Sequence, residues 1–139
     1  MMKLYKSSVF LVLCLLSSLS FAEVAIIVNS ENSSEISDND IKRMFLGKNK
    51  TFSNGESVKA INLKSGNAIR GDFEKQILGK SSSQVKAYWS KLIFSGKAKP
   101  LKEFASDSEV LNWVSSTPNA IAYIDASKVD SSVKVIKKL

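Results

Sequence analysis

A chain of 139 residues with 20 Lys and Arg against 13 Asp and Glu, formally +7 at neutral pH, has room for one core and favours anionic partners. It contains no histidine and one cysteine, Cys14, which excludes Ser/His/Asp triads, Cys/His pairs, imidazole-ligated zinc and an internal disulfide. Only Arg43 and Arg70 are arginines, a poor match to nucleic-acid readers built on arginine forks and stacked aromatics, so nucleic acid is not expected as a partner.

In chain order, Lys3 and Lys6 precede an apolar run from Val9 to Leu16, and Ser20-Phe21-Ala22 places small residues just before Glu23. The pattern predicts a secretory signal peptide over residues 1–22, cleavage after Ala22 and a periplasmic location. The run is short for a bilayer span, and Leu13 stands before Cys14 where a lipoprotein cleavage site wants a small residue. The expected mature chain, residues 23–139, is one domain with 18 basic and 13 acidic residues and no thiol.

Val24 to Val28 is a continuous β-branched run, suited to a strand buried on both faces. Ser37 and Asp40 stand at capping-box spacing ahead of a helix with Ile41, Met44 and Phe45 on one side and Gly47 as its stop. Asn54-Gly55 marks a turn, and Val58 to Leu63 reads as the second strand. Ile69, Phe73 and Ile77 then recur every fourth residue up to Gly79, which predicts a helix buried along that line. Serines 81 to 83 can cap the next helix, whose stripe of Val85, Tyr88, Trp89, Leu92 and Ile93 is expected to face the core. Gly96 and Pro100 end it. Ser106 and Glu109 form another capping box before Val110, Leu111 and Val114; Ala120 to Ile124 and Val133 to Ile136 read as closing strands. The expected fold class is therefore α/β, a small mixed sheet flanked by helices.

Lys80, Lys86, Lys91, Lys97, Lys99 and Lys102 crowd together; a solvated face is the ordinary reading and a binding patch the alternative. Asp72 with Glu74, and Asp107 with Glu109, are carboxylates two residues apart. Such neighbours point away from one another on a helix, so neither pair is expected to be catalytic. No enzyme, cofactor or metal site is expected.

The stretch Asn62 to Phe73, NLKSGNAIRGDF, falls where a strand ends and a helix begins. The first turn of a helix leaves amide N–H groups unpartnered and carries a partial positive charge, which suits an anion. Gly66 lets a ligand approach, Ser65 and Asn67 offer short donors, and Arg70 could present a fork one turn in. Equally, Ser65 could simply cap the helix, with Gly66 relaxing the turn and Arg70 on the surface.

With "IKRMFLGK" (Ile41 to Lys48), "VKAYWSKLIFSGK" (Val85 to Lys97) and "VLNWVSSTPNAIAYID" (Val110 to Asp125) in the same order, the stretch resembles the second lobe of type II periplasmic binding proteins. The likeness is specifically to the phosphate-binding component of phosphate ABC transporters. The resemblance implies a one-lobe fold and an anion site at Ser65, Gly66 and Asn67, where the family's Ser-Gly-Thr meets phosphate; Arg70 joins the set by its spacing. This chain departs from the family pattern at Asn67, which replaces the threonine, and at Ile61, where the family has an arginine. It also departs in lacking the family's proton-reading acid and its first lobe. The implied function is an exported solute-binding-like module for phosphate or a related oxyanion, working with ABC transport. The implied partners are a homodimer mate or second-lobe protein, or a transporter permease. The alternative is an envelope interaction or sensing module that keeps the fold without tight ligand binding.

Overall fold

The computed structural model describes residues 23–139; the expected signal peptide lies outside them. The elements are β1 (Val24–Asn29), α1 (Asp38–Phe45), β2 (Lys59–Leu63), α2 (Ala68–Phe73) running into a π-helical turn (Glu74–Leu78), α3 (Ser82–Phe94), β3 (Lys102–Phe104), α4 (Asp107–Ser116), β4 (Ala120–Asp125), a 3-10 turn (Ala126–Lys128) and β5 (Val133–Lys138). They form the expected α/β domain around one mixed five-stranded sheet of order β3-β2-β4-β1-β5. Strand β2 runs parallel to both β3 and β4, whereas β1 is antiparallel to β4 and β5.

Every residue of β1 is buried, because helices cover both faces of the strand and polar alternation would place charge in the core. On one face Phe45 of α1, Phe73 of α2 and Tyr123 of β4 pack together, with Phe73 and Tyr123 stacked at 4.0 Å between ring centroids. On the other face α4 inserts Val110 and Val114, and its Trp113 meets Phe104 of β3. Alternation along β3 sends Glu103 to the opposite face.

Local signals set several boundaries. Ser37 caps α1 in a reciprocal box with Asp40, and Ser81 does the same for α3 with Gln84. Gly47, at φ 70°, turns the chain beneath Trp89, where a Cβ would stand 3.1 Å from the indole ring. In α4 the expected box is displaced: Ser106 accepts from the Glu109 amide, but the Glu109 carboxylate accepts from Ala105 N–H.

Three expectations change. Strand β3 is an addition, a three-residue edge strand whose Lys-Glu-Phe sequence carries no periodic signal. The π-helical turn widens the helix by one residue, so Glu74 and Leu78 are buried and Ile77 is only half-buried. The stripe on α3 is shallower than expected: Val85 alone is fully buried, Tyr88, Trp89 and Leu92 are half-buried, and Ile93 is exposed.

Candidate functional site

Because β2, β3 and β4 are parallel, their carboxyl ends share one edge of the sheet. The connection from β2 through α2 and α3 to β3 crosses one face, and the return through α4 to β4 crosses the other. Helices thus diverge from neighbouring strand ends, the place where open α/β sheets leave a crevice for ligands.

The end of β2 is held on both sides. Lys64 N–H donates to Phe104 O at 3.0 Å, extending the pairing with β3. Toward β4 the backbone ladder stops at Ala60, paired with Ile121, and a side chain takes over: the Tyr123 hydroxyl accepts from Leu63 N–H at 3.3 Å and donates to Asn62 Oδ1 at 2.8 Å. Burial pushes this phenol well above its ordinary range.

Lys64 to Asn67 then form a β-turn closed by Asn67 N–H on Lys64 O at 3.1 Å, with Gly66 at φ 87° in the position that demands glycine. A Cβ on Gly66 would meet nothing within 4 Å, so its surroundings are open. Asn67, not Ser65, caps α2: its Oδ1 accepts from Ile69 and Arg70 N–H at 2.8 and 3.3 Å. That oxygen is therefore committed to the helix. The exposed Ser65 hydroxyl, the amides of Ser65, Gly66 and Ala68, and Asn67 Nδ2 make no hydrogen bond among the described residues. The outcome is a cluster of outward donors at the first turn of a helix.

Arg70 lines the same cleft as Ser65, but its Nη1 and Nε are engaged. Its Nη1 donates to Leu63 O at 2.9 Å and to Glu103 Oε1 at 3.0 Å, and Nε lies 3.5 Å from Glu74 Oε2. The other Glu74 oxygen accepts from the Ser82 hydroxyl at 2.7 Å. Burial opposes the Arg70 charge, but the hydrogen bond it donates to Glu103 and the nearby carboxylates reverse that and raise its pKa. These groups form the polar wall of this cleft of about 280 Å³, whose other wall is Val85, Trp89, Ile93 and Leu101. Ser65 and Lys86 line the cleft as well, so two carboxylates there stand against one guanidinium and one ammonium. Across the same sheet edge, burial and the charge of Asp125 raise the Asp107 carboxyl.

The structure thus brings Ser65, Gly66 and Asn67 together in one turn and places Arg70 in the adjoining wall. Ser82 and Glu103 carry no mark of this wall in the sequence, and Glu74, read there only as a carboxylate beside Asp72, joins it as the partner of Arg70. The four-residue spacing of Arg70 and Glu74 was a readable signal for Glu74; Glu103 had none, because its strand was not visible.

No model of a protein family matches the chain, and no curated protein matches it. Solved structures do. An ABC-type phosphate transport receptor from Vibrio cholerae superposes with a TM-score of 0.64 at 19% identity over 84% of this chain and 46% of its own. A Clostridium perfringens protein solved with bound phosphate gives 0.64 at 20% identity, over 84% and 45%, and PstS from Borrelia burgdorferi gives 0.62 at 15%, over 83% and 47%. This likeness shows the fold. The chain spans about half the length of each of these structures. The first is a transport receptor and the second a substrate-binding protein. Among the described residues no helix is long and apolar enough to cross a membrane.

Proposed function

We propose that this protein is a solute-binding-like module, not an enzyme, that takes phosphate or a related tetrahedral oxyanion at the Lys64–Ala68 turn. The observation that carries the reading is the cluster of unpartnered donors there, Ser65 Oγ with the amides of Ser65, Gly66 and Ala68, around a glycine with open space before it. Asn67 adds a donor through Nδ2 while its oxygen holds the helix start. Arg70 serves by bracing: it ties the end of β2 to β3 through Leu63 O and Glu103, and so holds the turn in place. The phosphate bound in the Clostridium perfringens structure supports this ligand class.

About three charge-assisted hydrogen bonds contribute roughly 5–9 kcal/mol gross, against at least ~4 kcal/mol of lost freedom on association. The surplus of about 1–5 kcal/mol corresponds to an affinity of about 0.2 mM or weaker. Tight binding therefore requires a second wall, supplied by another copy of the chain, a partner lobe or a transporter permease. The occupied fork of Arg70 favours a second reading, an exported interaction or sensing module in which the turn has lost its ligand.

Calorimetric titration of residues 23–139 with phosphate and with sulfate at low ionic strength, alongside a sizing measurement, separates the two. Heat with phosphate that is lost in Ser65→Ala supports the oxyanion module. No heat with either anion up to several millimolar overturns it and leaves the interaction module.

A further inference from the structure

Helix α3 ends by turning an aromatic ring into solvent. Phe94, its last residue, is 96% exposed, and Ile93 is 40% exposed. Val85, nine positions earlier, is 2% exposed; at ~100° per residue the two lie on opposite sides of the helix. Phe94 therefore points directly away from the core. Lys86, Ser90 and Lys91 share its exposed side, and Gly96, at φ 70°, reverses the chain immediately afterwards. The result is a convex tip.

The charge along the segment that carries the tip is one-sided, although Glu74 and Glu103 line the cleft beside Ile93. From Lys75 to Lys102 the sequence has seven lysines and no Asp or Glu. Lys86, Lys91, Lys97 and Lys99 are exposed, and none joins an ion pair among the described residues, whereas Lys102 lies over the Phe104 and Trp113 rings. A solvent-facing phenyl contributes nothing to burial, and crowded like charges repel. Neither feature serves the fold, and together they match a boundary that is anionic outside and apolar beneath.

We propose that the α3 tip docks on an anionic lipid bilayer. Phe94 and Ile93 enter the headgroup–acyl boundary while Lys86, Lys91, Lys97 and Lys99 reach lipid phosphates on flexible stems. A lipid surface fits better than an acidic protein. A protein interface of standard size needs ~800 Å² per partner with an apolar centre, whereas Ile93 and Phe94 are the only exposed large hydrophobics among the described residues. A bilayer needs only a shallow wedge and a ring of cations. Ile93 and Lys86 also border the cleft that Ser65 lines, but docking does not rest on a ligand at the Lys64–Ala68 turn.

The test is co-sedimentation of residues 23–139, which contain the whole sheet and both helix layers, with vesicles of phosphatidylcholine alone or mixed equally with phosphatidylglycerol. Binding to the mixed vesicles and not to phosphatidylcholine is expected. Phe94→Ser should weaken it about tenfold or more. Lys97→Glu with Lys99→Glu should weaken it at least about 25-fold, at about fivefold per lysine removed. Lys128→Glu with Lys138→Glu, two exposed lysines outside the segment, should retain most binding, and thermal melts of all variants should match wild type. No binding to the mixed vesicles overturns the proposal, as does binding indifferent to Phe94→Ser or weakened equally by the control pair. Binding to poly-glutamate without binding to vesicles also overturns it and assigns the tip to an acidic protein.

Discussion

Arg70 and Glu74 pair at 3.5 Å across one helical turn, with the Glu74 side chain only 3% exposed and the Arg70 side chain 13% exposed. Removing the arginine strands a buried carboxylate whose remaining partner is the Ser82 hydroxyl. Arg70→Met is expected to cost about 3–5 kcal/mol in urea unfolding, and the double variant Arg70→Met/Glu74→Leu should recover most of it. A single variant as stable as wild type would contradict the bracing role.

The π-helical turn makes Leu78 a core residue in place of Ile77. Leu78→Ala should destabilise by ~2–5 kcal/mol, the usual cost of emptying a buried leucine site. Ile77→Ala, on the half-buried side, should cost clearly less. Equal losses in denaturant melts would mean that the helix continues at its regular spacing.

Gly47 and Gly66 have similar positive φ values, 70° and 87°, but different surroundings. Alanine at either position meets a backbone cost of ~1–2 kcal/mol. Only at Gly47 does the new Cβ also press on Trp89, so Gly47→Ala should be the more destabilising and should shift tryptophan fluorescence. Gly66→Ala should leave the emission spectrum unchanged.

Burial, reinforced by the charge of Asp125, raises the Asp107 carboxyl above its ordinary 3.8. The folded state then holds this proton more tightly than the unfolded chain, so stability falls as pH rises from that value through the raised folded one. Asp107→Asn removes the titration. The variant should gain stability relative to wild type at neutral pH, and the gain should close in acid below 3.8; a gain independent of pH would point to another cause.

Much of this was legible because it is local. Ser37 with Asp40 and Ser81 with Gln84 satisfy helix starts through residues three apart, so their spacing alone locates two helices. The apolar run of β1 declares its burial in the same way. What escaped depends on distant partners. Lys102 to Phe104 becomes a strand only because β2 lies beside it, and Arg70 turns inward because Glu103, 33 residues away, receives it. The exchange of Ile77 for Leu78 follows from a single widened turn that four-residue spacing does not anticipate. At the candidate site, the choice of Asn67 over Ser65 as the cap was a matter of one residue in a turn where both could serve.

The Tyr123 hydroxyl stands where β2 and β4 cease to share backbone hydrogen bonds. Beyond Ala60, then, the sheet has a seam between β2 and β4, bridged by a phenol, while Ile61 and Leu63 keep the end of β2 buried in the core. Seams with few backbone bonds are where a sheet opens first. The Leu63 amide, held by a side chain in place of a neighbouring strand, is the group whose exchange with solvent reports on that seam.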